Sequence, residues 1–170
     1  MVSKPLVYIV IGSTRVGRAG PAIAQWTRDI AAARSSTVDF RILDLIDFNL
    51  PLHSPHIPIT GYAQGFVFVT PIYNGSYPGV LKLYLDYLKK EWARKPVGIV
   101  SYSHRGGDRA AVQLKNILRS SLQMNVIDPP VLMKLDDVFP IRYAETEGPL
   151  SDQINAIVDK ICQSIEARTV

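Results

Sequence analysis

A single cysteine, Cys162, stands in the whole sequence. No intrachain disulfide can form, and a reducing compartment is expected. No apolar run approaches the roughly 20 residues that span a bilayer, so membrane insertion is not expected. No block of five or more lysines and arginines occurs. The formal net charge of +4 mildly favours anionic ligands, but without such a block nucleic acid is not expected as a partner. No Gly-x-Ser-x-Gly elbow is present, which removes the nucleophile of a serine hydrolase. Of the three histidines, His53 and His56 lie among prolines without cysteine or aspartate neighbours at ligand spacing, and no metal is expected. An apolar run follows Met1-Val2-Ser3-Lys4 at once, so no leader is expected and the cytoplasm is the anticipated location.

What is present suits one soluble domain over residues 1–170: 47% of the 170 residues are hydrophobic and 20% charged, enough to bury a sizeable core. Leu6 to Ile11 is an unbroken apolar run, read as a buried strand. It is followed by Gly12-Ser13-Thr14-Arg15-Val16-Gly17-Arg18-Ala19-Gly20 and then by an apolar-periodic segment carrying Ile23, Trp26 and Ile30. Strand, glycine turn and helix start in that order place unpaired N–H groups and the positive end of a helix dipole where an anion binds. Ser13 and Thr14 add hydroxyls; Arg15 and Arg18 add cations. The loop misses the P-loop pattern, because Arg18 replaces its lysine and Ala19 its metal-binding hydroxyl. It misses the dinucleotide fingerprint as well, because Ser13-Thr14 stands where the second glycine belongs. A metal-free clamp for one phosphate remains, beside the alternative that the glycines serve turn geometry alone.

Val38 to Leu43 alternates apolar and charged residues, the pattern of an edge strand. Residues 44–66 form a proline-rich crossover with Pro51, Pro55 and Pro58, leaving room for a short helical piece only near Thr60 to Gln64. Phe66 to Val69 reads as a central strand. The loop Thr70 to Gly79 follows, with Pro78 expected at a helix N1 position. Val80, Leu81, Tyr84, Leu85 and Leu88 then mark a helix. Val97 to Val100 is another buried strand, Ser101 to Gly107 a second glycine loop, and Ala110, Leu114, Ile117 and Leu118 a third helix. Val126 to Leu132 is strand-like but holds Asp128-Pro129-Pro130, tolerated only at an edge or bulge. Ser151 is expected to cap a last helix striped with Ile154, Ile157, Val158, Ile161 and Ile165. Cys162 is expected buried beside that stripe, and Asp136-Asp137 reads as a solvated turn. Tyr84, Tyr87 and Trp92 offer an aromatic contact surface.

Strands alternating with helices give an α/β domain with a parallel sheet. Edge signatures fall on the second and fifth of five strands, as in the flavodoxin-like three-layer order 2-1-3-4-5. There the ligand crevice lies at the carboxyl ends of strands 1 and 3. Three loops, 12–20, 70–79 and 101–107, meet at that end.

The segments Gly12-Ser13-Thr14-Arg15-Val16-Gly17-Arg18, Pro71-Ile72-Tyr73-Asn74-Gly75-Ser76-Tyr77-Pro78-Gly79-Val80-Leu81-Lys82 and Gly106-Gly107-Asp108-Arg109-Ala110 resemble the NAD(P)H-dependent FMN reductase family, which includes quinone, azo-dye and chromate reductases. The resemblance implies bound FMN, NADH or NADPH as donor, ping-pong hydride transfer to a small acceptor (quinone, azo compound, free flavin or metal oxyanion), and a homodimer or homotetramer. By position, Gly12, Ser13, Thr14, Arg15, Gly17 and Arg18 would hold the FMN phosphate. Pro71, Tyr73, Asn74, Gly75 and Ser76 would border the flavin ring. Ser103, His104, Gly106 and Gly107 would approach its pyrimidine side, where N–H groups at a helix start favour the negative charge of reduced flavin. His104 is a candidate proton donor to the acceptor, and no other catalytic side chain is assigned. Two features depart from the family: Ile72 where a glutamate is common, and the short crossover. The crossover motivates an alternative, a flavin-binding sensor or interaction protein with little turnover.

Overall fold

The computed structural model describes residues 3–48, 50, 62–138 and 147–168. Its elements, in chain order, are β1 (Leu6–Ile11), α1 (Gly20–Arg34), β2 (Asp39–Asp44), β3 (Gly65–Pro71), α2 (Gly79–Asp86), β4 (Pro96–Ser103), α3 (Asp108–Asn116), β5 (Asn125–Val126), β6 (Val131–Lys134), α4 (Leu135–Val138) and α5 (Pro149–Glu166). All strand pairs are parallel, in the order β2-β1-β3-β4-β5, with β6 also on β4. This is the flavodoxin-like order expected from the edge signatures.

The sheet is covered on both faces because its inner strands are apolar over most of their length, the polar Thr70, Ser101 and Ser103 falling toward the carboxyl ends of β3 and β4. Val7, Ile9, Ile11, Val67, Val69 and Val100 face α1 and α5, whose Ile23, Ile30, Ile154, Ile157 and Ile161 complete that core. Val10, Phe66, Phe68, Val97 and Ile99 point the other way, against Leu81 and Leu85 of α2 and Leu114 of α3. The period-2 alternation of side chains thus sorts each strand between two helical layers.

The fifth strand departs from expectation. It is two short strands, β5 and β6, that pair with β4 on either side of Asp128-Pro129-Pro130. The prolines have no N–H to give the ladder, so pairing lapses and resumes. Asp128 is held there by Lys115 at 2.6 Å and Arg119 at 2.8 Å.

Other local expectations are corrected. Pro78 is the N-cap of α2 rather than its first helical residue. The cap of α5 is Gly148, with Pro149 starting the helix and Ser151 buried inside the first turn. Cys162 is half-buried. Trp92 and Tyr84 are not surface aromatics. Trp92 is fully buried, donates its indole N–H to the Leu85 carbonyl at 3.0 Å, and meets Phe66 and Tyr84 edge-on at 4.9 and 5.5 Å. Only Tyr87 of that trio is partly exposed. Most of the crossover lies outside the described residues, including its three prolines, His53, His56 and Thr60. Its described start is a 3₁₀ turn, Leu45–Asp47, capped by the Asp44 side chain.

Candidate flavin site

Parallel strands put the carboxyl ends of β1, β3, β4 and β6 on one side of the sheet. A cleft of about 460 Å³ opens there, in the size range of small-molecule sites. Of the residues singled out by sequence, Arg15, Gly17, Arg18, Pro71, Tyr73, Ser103 and His104 line it. Gly12, Ser13, Thr14, Asn74, Gly75, Ser76, Gly106 and Gly107 belong to the same loops but are not among the residues that line this cleft.

The first loop is closely packed at its base. Ser13 is fully buried, and a Cβ on Gly20 would lie 2.3 Å from its Oγ and 3.0 Å from the Tyr102 hydroxyl. Glycine alone lets α1 begin so near β1. Neither the Ser13 nor the Tyr102 hydroxyl has an aligned hydrogen-bond partner. Burial pushes the Tyr102 hydroxyl up to about 12, and the nearby Ser13 only partly offsets that rise. Among the described residues, none accepts a hydrogen bond from the backbone N–H groups of residues 13–18. A run of donors beside two sheltered hydroxyls is the arrangement an anionic oxygen satisfies.

The two arginines have different surroundings. Arg18 makes a bidentate pair with Asp44, 2.7 Å at both oxygens, and also donates to the Ser13 carbonyl. Its side chain is 13% exposed, and the hydrogen bond to Asp44 is the chief cause raising its pKa. Its guanidinium therefore ties the loop to β2 before any ligand arrives. Arg18, expected among the residues that would hold the phosphate, is thus engaged by Asp44 and the Ser13 carbonyl. Arg15 is exposed, with its guanidinium carbon 3.7 Å from the centre of the Tyr73 ring.

In the second loop, Tyr73 and Ser76 exchange backbone hydrogen bonds at 2.7 and 3.1 Å around Asn74 and Gly75, whose φ values are 50° and 85°. Two left-handed central residues are the requirement of a tight I′ turn. In the third loop the Ser103 hydroxyl donates to the Gly106 carbonyl at 2.5 Å and accepts from the Arg105 N–H at 3.1 Å. A Cβ on Gly107 would lie 2.0 Å from the Ser101 carbonyl oxygen, so this loop too depends on a close approach.

Sequence reading missed four lining residues of note. Tyr102 sits inside a strand and reads as ordinary core; Val16 is fully exposed at the rim. Leu135 and Asp136 are the first residues of α4, directly after β6, in a segment with no motif of its own. Asp136, read as part of a solvated turn, is solvent-exposed at the start of α4 and lies 2.6 Å from His104 Nδ1. Among the described residues no group of three or more His, Cys, Asp or Glu is placed to hold a metal.

The profile of NADPH-dependent FMN reductases matches residues 5–138. The chain belongs to this family. It is an oxidoreductase-family flavoprotein whose cofactor is FMN, and the unpaired loop donors, Arg15 and the flat walls at Pro71 and Tyr73 fit that group. An NAD(P)H-dependent FMN reductase of Schizosaccharomyces pombe is 39% identical over 131 residues, 66% of this chain and 65% of that protein. The chain thus spans just under two thirds of that relative. The NAD(P)H-dependent FMN reductase ntnL of a Nectria species is 33% identical over 86% of this chain and 84% of its own length. Among solved structures, the flavoenzyme FerB of Paracoccus denitrificans superposes with a TM-score of 0.76 at 20% identity, covering 96% of this chain and 98% of that one. An archaeal flavodoxin does so with a TM-score of 0.63 at 11% identity, covering 95% and 99%. At those identities the likeness speaks for the fold.

Proposed function

We propose that residues 1–170 form one FMN-binding domain that passes hydride from NADH or NADPH to a small acceptor such as a quinone, an azo compound, free flavin or a metal oxyanion. The observation that carries this reading is the run of unpaired N–H groups at residues 13–18, beside Arg15, at the mouth of a cleft walled by Tyr73 and Pro71. Bound FMN would supply the redox chemistry, accepting two electrons from the nicotinamide and passing them to the acceptor.

The chain's own residues bind and orient. Gly12 and Gly17 shape the first loop, whose N–H groups, with Ser13, Thr14 and Arg15, hold the phosphate; Arg18 braces the loop through Asp44. Asn74, Gly75 and Ser76 set the wall at one edge of the ring, and Ser103, Gly106 and Gly107 the other. The helix start at Gly107 favours negative charge on that side. His104, oriented by Asp136, is placed to hold a proton for the acceptor. We assign the protein to the cytoplasm and to a dimer or tetramer; among the described residues no helix is long and apolar enough to cross a membrane.

Anaerobic titration of the FMN-loaded protein with each nicotinamide tests the reading. Loss of the oxidised-flavin absorbance, restored by quinone, is expected. Protein that takes up no FMN would sink it, and bound FMN that neither nucleotide bleaches would leave a binding module.

A further inference from the structure

One side chain outside all three loops is fastened to the second of them. Gln113, on the exposed face of α3, donates through Nε2 to the Gly75 carbonyl at 3.0 Å and accepts through Oε1 from the Ser76 hydroxyl at 2.7 Å. These partners are 38 and 37 residues away in sequence. The turn's own bridge joins only Tyr73 and Ser76. It leaves the Gly75 carbonyl for Gln113, and among the described residues nothing accepts from the Asn74 and Gly75 N–H groups. The Gly75–Ser76 peptide is thus held on both sides, its N–H by the Tyr73 carbonyl within the turn and its carbonyl by Gln113, and the second of these contacts is what fastens the turn to α3.

We infer that Gln113 is a positioning residue for the flavin site, tethering the turn closed by Tyr73 and Ser76 to α3 so that the Asn74 and Gly75 N–H groups of that turn are presented to the cofactor in one fixed arrangement. The inference rests on the FMN placement proposed above. A single amide side chain does both jobs, giving a hydrogen to a carbonyl and taking one from a hydroxyl. Glutamate in its place keeps the second and loses the first, setting a carboxylate against the Gly75 carbonyl. Because α3 starts at the third loop, the same contact fixes the spacing between the two walls of the ring.

The test is FMN affinity of the cofactor-free protein, followed by quenching of flavin fluorescence, with amide NMR signals of Asn74 and Gly75 as a second readout. Losing two preorganising hydrogen bonds of ordinary strength should weaken FMN binding about tenfold in Gln113→Ala. Gln113→Glu should lose at least as much, and in both variants the Asn74 and Gly75 amide signals should shift or broaden before FMN is added. Val112→Ala, at the neighbouring exposed position of the same helix, should bind as wild type. Gln113→Ala with wild-type affinity, or an equal loss in Val112→Ala, would overturn the inference while leaving the FMN placement standing. Wild-type protein that takes up no FMN would overturn both.

Discussion

The Arg15 guanidinium carbon lies over the Tyr73 ring, 3.7 Å from its centre, and so joins the first loop to the second across the cleft. A cation on an aromatic face at an exposed site contributes about 0.5–1 kcal/mol. A charge-assisted bond to a phosphate contributes more, about 1.5–3 kcal/mol. Arg15 should therefore leave Tyr73 for the phosphate when the cofactor binds. Arg15→Ala is expected to weaken FMN binding by about 1.5–3 kcal/mol, read by fluorescence titration. Tyr73→Leu frees Arg15 from its resting contact, so its loss of affinity should be smaller. An unchanged FMN affinity in Arg15→Ala would refute the assigned clamp.

Arg18 and Asp44 predict a different phenotype. Their bidentate pair is largely sheltered, with side chains 13% and 16% exposed. Breaking it strands a charge at the base of the loop. Arg18→Ala and Asp44→Ala should each destabilise the fold by about 2 kcal/mol, less than a fully buried pair because water still reaches both groups. Urea unfolding of the two single variants and the double variant measures the coupling. Additive single effects would mean the pair contributes nothing of its own.

The fate of these arginines shows what the sequence made legible. The first-loop motif singled out both side chains, and strand order followed from which apolar runs alternate. The partner of Arg18 was not readable, because Asp44 stands beside Ile11 only through the register of β2 on β1. Asp136 meets His104 for the same reason, β6 lying beside β4 with Lys134 opposite Ser103. Gln113 carries no local signal at all, being one polar residue on a solvent face. Trp92 misled because it follows the end of α2, where helical periodicity no longer reports which way a side chain points. Contacts between residues distant in sequence depend on register, and one sequence holds no direct record of register.

The close approaches at the two helix starts are testable by adding a methyl group. Gly20→Ala would set a Cβ 2.3 Å from Ser13 Oγ and 2.9 Å from Ile11 Cγ2. A serine hydroxyl can turn aside, so a cost of about 1–3 kcal/mol is expected. In Gly107→Ala the clash is with backbone, 2.0 Å from the Ser101 carbonyl oxygen, which cannot turn. It should be the more damaging of the two. At about 2–4 °C per kcal/mol for a chain of this size, thermal melts resolve the ranking, and a Gly107→Ala protein as stable as Gly20→Ala would contradict it.

Tyr102 gives the fold a defined alkaline limit. Burial raises its hydroxyl from 10.0 to about 12 in the folded protein. The folded state therefore keeps its proton where the unfolded chain has lost it. The resulting stability is fully present below pH 10 and is lost as pH rises through about 12, by about 2–3 kcal/mol in all. Lys95 acts the other way. Burial foremost, then Arg168, lowers its pKa from 10.5, so its contribution to stability rises with pH up to 10.5 and is spent above it. The fall above pH 10.5 thus belongs to Tyr102 together with Tyr77, whose hydroxyl burial and Asp86 also raise, and the Tyr102→Phe comparison isolates the Tyr102 share. Tyr102→Phe removes a buried hydroxyl that has no aligned partner, so at pH 7 it should change stability by less than about 1 kcal/mol. Urea midpoints of wild type and Tyr102→Phe at pH 7, 10 and 11.5 check this. The two should nearly coincide at pH 7 and separate at 11.5, with the phenylalanine variant the more stable. Parallel curves across that range would show that the Tyr102 proton is not held by the fold.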